Sequence, residues 1–362
     1  MDPSASFVFK IRIRDTMIFF DVTKSASAGH RSGLTRVSAR LRDELGTAMQ
    51  PVVWPDWNRA AGKDDWFLTG ELFSEAERPG FREFLKNPPC RLAAIFHDAI
   101  PLKLPHVTWP QSVARHPEYM KMLAGFDRVL AISEASQRDL VEFWRWQGVE
   151  PRAKVGTIML GADFDRAPRV AQISGLKSQI SNLLVCVGII EPRKNQAFLL
   201  EVCAELWREG LVFELHLVGR VNPHFGRPIA EKIRLLRKDF PGLHFHEAAD
   251  DRTLGALYGK AGASVFPTLA EGCGLPLLES LWRGVPCVCS DLPVLRENAD
   301  AGGCLAVAPG DVAAWKSAVR AVLADTAVGQ KLQAAAAART LPRWADTATA
   351  LRAVLGEEAV GS

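Results

Sequence analysis

The chain has 362 residues, 48% of them hydrophobic and 23% charged, with a net charge of +3. That length allows two domains of ordinary size, the composition is that of a globular protein, and a charge this near neutrality argues against nucleic acid as the main partner. Seven cysteines without a C-x-x-C pair argue against a disulfide framework and for a reducing, cytoplasmic setting, and no apolar run approaches the ~20 residues that span a bilayer.

In chain order, MDPSASFVFKIRIRDT (1–16) alternates basic and apolar residues but has no signal-peptide core, so it is expected to be an extension or a weak surface-binding arm. MIFFDV (17–22) predicts the first strand. GHRSGLTRV (29–37) then leads into a helix over 34–45, and it lacks the G-x-G-x-x-G dinucleotide fingerprint. RLAAIFHD (91–98) predicts a second strand that ends in His97-Asp98 at its carboxyl edge. DRVLAIS (127–133) predicts a third. His30, His106 and His116 are expected on loops near an acceptor. In EFWRWQG, Trp144, Arg145 and Trp146 form an aromatic-basic cluster. With Arg115, Lys121 and Arg152 it suits an anionic membrane face, although the packing of a helix end explains it equally well.

The stretch 161–183 is polar, carries Gly and Pro, and predicts a linker. Beyond it, NLLVCVG (182–188), FELHLVG (213–219), ASVFP (263–267), PCVCS (286–290) and GGCLAV (302–307) read as strands, with helices over 196–209 and 276–284. Nearly continuous apolar strands alternating with helices predict an α/β fold of two doubly wound parallel sheets. The expected division is 1–165, a linker over 166–182, 183–340, and a tail over 341–362 that folds back on the first domain. His244 and His246, alternating along a strand, are expected to be structural because nothing nearby supplies a third metal ligand. Cys287 and Cys289 have no neighbouring His to make a metal site.

The most informative stretch is EGCGLPLLE (271–279), two carboxylates around a glycine-rich turn and a proline. Pro276 marks a helix start, because a proline in the first turn loses no intrahelical bond. A loop that leaves a parallel strand and enters a helix is where such sheets bind ligands, with amides and the helix dipole favouring negative charge. Glu279, one turn in, suits a vicinal diol such as a ribose, while Glu271 suits sugar hydroxyls or developing positive charge. VGIIEPRKNQAFLLEV (187–202) repeats the strand–loop–helix pattern, and Arg193 and Lys194 stand where a diphosphate would be clamped. Basic residues at a helix start are unfavourable on their own, which points to an anion there.

EPRKN followed about eighty residues later by E-G-x-G-L-P-x-x-E resembles the retaining glycosyltransferases of family 4. HDAIPLKLP (97–105), AISEASQRDL (131–140), GADFD (161–165), LVG (217–219), the region of Tyr258 and ENAD (297–300) follow that family in the same order. The resemblance implies a GT-B fold, two Rossmann-like domains facing across a cleft. It also implies a bacterial enzyme of lipopolysaccharide, O-antigen or capsule assembly that uses mannose-like donors.

By that resemblance Arg193 and Lys194 hold the donor diphosphate, and Glu279 binds the ribose. Glu271 and the backbone of Gly272, Cys273, Gly274 and Leu275 contact the donor sugar, and Gly33 approaches the phosphate from the facing domain. Ile189 stands where the family often has Arg, so Lys194 is a firmer assignment than Arg193. His97 and Asp98 are expected to position the sugar or the acceptor. The implied donor is a nucleotide sugar, GDP-mannose favoured, with no further cofactor. The implied acceptor is a glycan or lipid-linked glycan, and peripheral membrane contact is part of the same expectation. No D-x-D motif stands at a strand end, so metal-independent transfer is expected. A GT-B epimerase and a non-catalytic sugar-nucleotide-binding scaffold are the alternatives.

Overall fold

A computed structural model describes residues 16–26, 33–163, 166, 169 and 181–356. The arm at 1–15, His30 and most of the polar linker lie outside the described residues. The strands are β1 (Ile18–Asp21), β2 (Met49–Val52), β3 (Trp66–Thr69), β4 (Arg91–Phe96), β5 (Arg128–Ala131), β6 (Lys154–Thr157), β7 (Leu183–Val187), β8 (Glu214–Val218), β9 (Leu243–His246), β10 (Ala263–Phe266), β11 (Cys287–Ser290) and β12 (Cys304–Val307).

These strands form two six-stranded parallel sheets, ordered β2-β1-β3-β4-β5-β6 and β12-β11-β10-β7-β8-β9. Pairing is parallel throughout, for example Ile18 beside Trp66 and Leu183 beside Glu214. The inner strands are apolar on both faces because helices cover both sides, and β1, β3, β10 and β11 are buried at every position.

Three strands of the first sheet, β2, β3 and β6, go beyond those the sequence predicts. Each is only four residues long, and the two at the sheet edges, MQPV and KVGT, carry polar, proline or glycine positions that hide the apolar signal. One face of the first sheet packs an aromatic cluster around Trp54, Trp57, Phe67, Phe81 and Phe84. Trp144 belongs to this core, with its indole N–H donating to Met120 O at 2.6 Å, whereas Trp146 is exposed. The EFWRW cluster is therefore split between interior and surface. Arg115 and Arg152 face Glu77 and Asp127.

The opposite face is covered by the helix Gly33–Leu45 and by the last helix, Trp344–Gly356, whose Trp344, Ala348, Leu351 and Leu355 join Ile18, Phe20, Val37 and Leu41. Trp66 Nε1 donates to Leu355 O at 2.8 Å, and Trp344 N donates to Asp163 Oδ1 at 2.7 Å. No helix among the described residues is long and apolar enough to cross a membrane.

Candidate active site between the two sheets

The carboxyl end of β10 leads through residues 267–274 into the helix Leu275–Trp282, with Pro276 in its first turn. The carboxyl end of β7 leads through a 3-10 turn, Pro192–Lys194, into the helix Gln196–Arg208. The two loops are laced together: Leu269 N and Thr268 Oγ1 donate to Arg193 O at 2.8 and 3.2 Å. Glu271 Oε1 is the junction. It accepts from Lys194 Nζ at 2.6 Å, Thr268 Oγ1 at 2.7 Å and Arg193 Nη1 at 3.3 Å. Arg193 also pairs with Glu191 at 2.7 Å, and Asn222 Nδ2 donates to Glu191 at 2.8 Å.

Burial pushes the Glu271 carboxyl up, but Lys194 and Arg193 outweigh it and hold the group below the ordinary glutamate value. Burial opposes the Arg193 charge, and Glu271 and Glu191 reverse that and raise its pKa. Lys194 is held below the ordinary lysine value by burial, with Arg193 adding to the effect. The anion expected beside these cations is thus already supplied by the chain's own carboxylates. An incoming diphosphate would compete with Glu271 and Glu191 for the same N–H groups.

Glu279 is the other carboxylate of the motif. It is buried, and burial raises its pKa. Arg36 Nη2, one turn into the first-domain helix, approaches Glu279 Oε1 at 2.7 Å. Apart from Arg36, no group among the described residues bonds either Glu279 oxygen. A buried carboxylate with a single cationic partner keeps lone pairs for hydroxyl donors. Arg36 was missed at the sequence level although it stands inside the quoted stretch 29–37, because only the fold shows that this helix faces Glu279. Gly33 stands opposite Leu275: a Cβ on Gly33 would lie 3.7 Å from Leu275 Cδ1.

The glycines of EGCGLP need a different explanation from ligand approach alone. A Cβ on Gly272 would sit 2.6 Å from His97 O, so this glycine lets the two domains touch backbone to backbone. Gly272 O accepts from Ser133 Oγ at 2.6 Å and Ser136 Oγ at 3.1 Å. Gly274 has φ +80°, and a Cβ there would collide with Leu295. The Cys273 side chain is buried in the first-domain cluster with Ile132 and Leu160, so only its backbone can face a ligand, and burial pushes its thiol pKa up.

His97 directly follows β4, which ends at Phe96 and so short of the expected 91–98, and is buried. Its Nε2–H donates to Gly70 O at 2.8 Å, which leaves Nδ1 as the unprotonated nitrogen. Burial lowers its pKa, with Gly70 O and Asp98 acting in the opposite direction. Asp98 Oδ1 accepts from Ile100 N at 2.9 Å, capping the short turn that follows, and Asp98 O accepts from His116 Nε2 at 2.9 Å. His116 lies buried on the helix Pro110–Leu123, which corrects its expected place on a loop, and His106 sits in a 3-10 turn. The ENAD and AISEAS phrases also meet across the domains: Glu297 accepts from Glu134 N at 2.9 Å and Ala135 N at 2.8 Å. This carboxylate caps a first-domain helix, a partnership that sequence separation conceals.

Two parallel six-stranded sheets with helices on their faces, and with loops meeting at their carboxyl ends, have the GT-B architecture. The fold is shared with the sucrose-phosphate synthase of Thermosynechococcus elongatus at TM-score 0.72 and 18% identity, covering 96% of this chain and 100% of that one. Residues 181–325 match the family described as glycosyl transferases group 1. It is 30% identical to the serotype-specific mannosyltransferase WbdA of Escherichia coli over 281 residues, which is 73% of this chain and 33% of WbdA. It is 30% identical over 146 residues to the O-antigen chain mannosyltransferase RfbU of Salmonella typhimurium, covering 40% of this chain and 39% of RfbU. The chain thus spans about a third of the length of the first of these relatives.

Proposed function

We propose that the protein transfers a hexose, mannose favoured, from a nucleoside-diphosphate sugar to a growing surface-polysaccharide or lipid-linked glycan, with retention of anomeric configuration. GDP-mannose is the favoured donor by the family resemblance, and relatives named as mannosyltransferases, 30% identical over parts of this chain, support the mannose. The observation that carries the reading is the junction at Glu271, where Lys194 and Arg193 meet the loop into the helix Leu275–Trp282, beside the buried Glu279 carboxylate.

In this reading Lys194, Arg193 and the first-turn amides of the helix take the donor diphosphate, and Glu279 takes the ribose diol. Lys194 turning from Glu271 to phosphate frees Glu271 Oε1 for sugar hydroxyls or for the positive charge developing at the anomeric carbon. The anomeric C–O bond to phosphate breaks with its electron pair on the departing diphosphate. The acceptor oxygen then bonds the anomeric carbon on the same face, and its proton passes to that departing oxygen. Arg193 and Lys194 supply the positive charge that a metal would otherwise contribute, so chelators are expected to leave turnover unchanged. His97 and Asp98, directly after β4, take the acceptor-side positioning role. Peripheral contact with an anionic membrane belongs to the same reading, and co-sedimentation with anionic vesicles tests it.

The decisive experiment is a thermal-shift panel of GDP, UDP and dTDP, followed by transfer from the matching sugar nucleotide. A ligand that binds only the folded state raises its stability. Lys194→Ala is expected to abolish the shift and Glu279→Ala to weaken it, and unchanged shifts in both would overturn the site. Turnover of donor without acceptor would favour the epimerase, and binding without transfer the scaffold.

A further inference from the structure

The second sheet carries an imidazole cluster that the cleft does not use. β8 and β9 are neighbours in register, His216 beside His244 and Val218 beside His246. Alternation along each strand therefore puts Glu214, His216, His244 and His246 on one face. Ligand atoms of Glu214, His216 and His244 all lie within 4.8 Å of one another. His216 Nε2 is 3.0 Å from Glu214 Oε2, and its Nδ1 is 2.9 Å from His246 Nε2. The His216 ring stacks on His244 at 4.4 Å and on His246 at 5.1 Å. The third ligand missing from the sequence reading is thus present twice, as Glu214 and His216 from the adjacent strand.

We propose that Glu214, His216 and His244 bind one divalent transition-metal ion of the zinc type, with His246 holding His216 in the ligating tautomer. Two imidazoles and a carboxylate suit Zn2+ and its first-row neighbours and do not suit Mg2+, which prefers oxygen. The metal takes the place of the proton that His216 Nε2 shares with Glu214. His216 Nδ1–H then donates to His246, the second contact that fixes ring orientation in histidine metal sites. Glu214 is exposed while His216 is buried, so the ion has an open path from solvent to a fixed ligand. The nearby cations are Lys260, beside Glu214, and Arg237, beside His244 and His246, and both weaken the binding of a cation.

Glu214 begins β8, His216 is its middle residue and His244 is the second residue of β9, so the three ligands lie along the strands themselves and not in the loops that follow their carboxyl ends. β9 is an edge strand. A metal tying it to β8 pins the edge strand of the second sheet to its neighbour. The expected consequence is greater stability, independent of the transfer chemistry.

The test uses the full chain without an affinity tag, stripped of metal and titrated with Zn2+, and separately with Co2+ as a spectroscopic probe and Mg2+ as control. The expected result is one Zn2+ per chain, a rise in the unfolding midpoint absent with Mg2+, and visible Co2+ absorption of a nitrogen-ligated ion. His244→Ala and Glu214→Gln, at partly or fully exposed positions, should abolish both signals while keeping the unliganded midpoint. His246→Ala should weaken Zn2+ affinity by about tenfold without changing stoichiometry. Absence of one-site Zn2+ binding, or binding unchanged in His244→Ala and Glu214→Gln, would overturn the proposal.

Discussion

The carboxyl ends of the two sheets each carry an arginine between two carboxylates, and the two clusters differ in burial. In the first domain Arg78 donates to Asp21 Oδ2 at 3.0 and 2.7 Å and to Glu71 Oε2 at 2.6 Å, with Arg78 and Asp21 fully buried. Glu71 also accepts from Lys24 N and Ser25 N, so this network ties down the loop after β1. In the second domain Arg193 lies between Glu191 and Glu271, but its side chain is 20% exposed and Lys194 shares Glu271. A sealed network can only hold the fold. One open to the cleft can exchange its partners for a ligand's. The chemistry of the residues is the same, and exposure is what differs.

The sharpest way to break this comparison is Arg78→Met. It leaves two buried carboxylates without their cation, and a loss of ~3–5 kcal/mol is expected by urea unfolding. A variant that kept wild-type stability would refute the structural role. Lys194→Ala is expected to cost less stability, because Arg193 and Thr268 still bond Glu271, while removing nucleotide binding. Glu271→Gln sharpens the point through pH. The folded Glu271 pKa is lowered, so its contribution is fully present above the unfolded value of ~4.3 and is lost as pH falls through the lower folded value. The stability gap between wild type and Glu271→Gln should therefore narrow below about pH 4, and a gap independent of pH would contradict the assignment.

Gly272→Ala pushes a methyl against His97 O and should cost ~1–3 kcal/mol, with the domain contact at Ser133 and Ser136 loosened. Limited proteolysis between the domains and unfolding together check it. The smallest effect expected is from Glu297→Ala, at ~1 kcal/mol, since it removes a cap from outside the capped helix. A change within measurement error would show that the cap is dispensable.

Much of the second domain was readable from the chain because its strands are continuous apolar runs and its loops are punctuated by Gly and Pro. NLLVCV, FELHLV and PCVC could hardly be anything but buried strands. The first domain was read less completely. WFLT is too short to stand out, and MQPV and KVGT lie at edges where burial is partial. Within the candidate site, Lys194, Glu271 and Glu279 stand out in the sequence because their motif is local. Arg36, Glu191 and Thr268 do not, since each acquires its role from a contact with another element.

The amino-acid order alone determined the alternation of strand and helix, the two-sheet plan and the pair of motifs, all of which depend on neighbours within a few residues. Tertiary structure alone decided that Gly272 abuts His97, that Glu297 caps a helix of the other domain, that Arg36 reaches Glu279, and that Glu214 and His216 complete a histidine cluster. Those pairings join residues from different elements, most of them far apart in the chain. Only the folded packing brings their side chains within bonding distance.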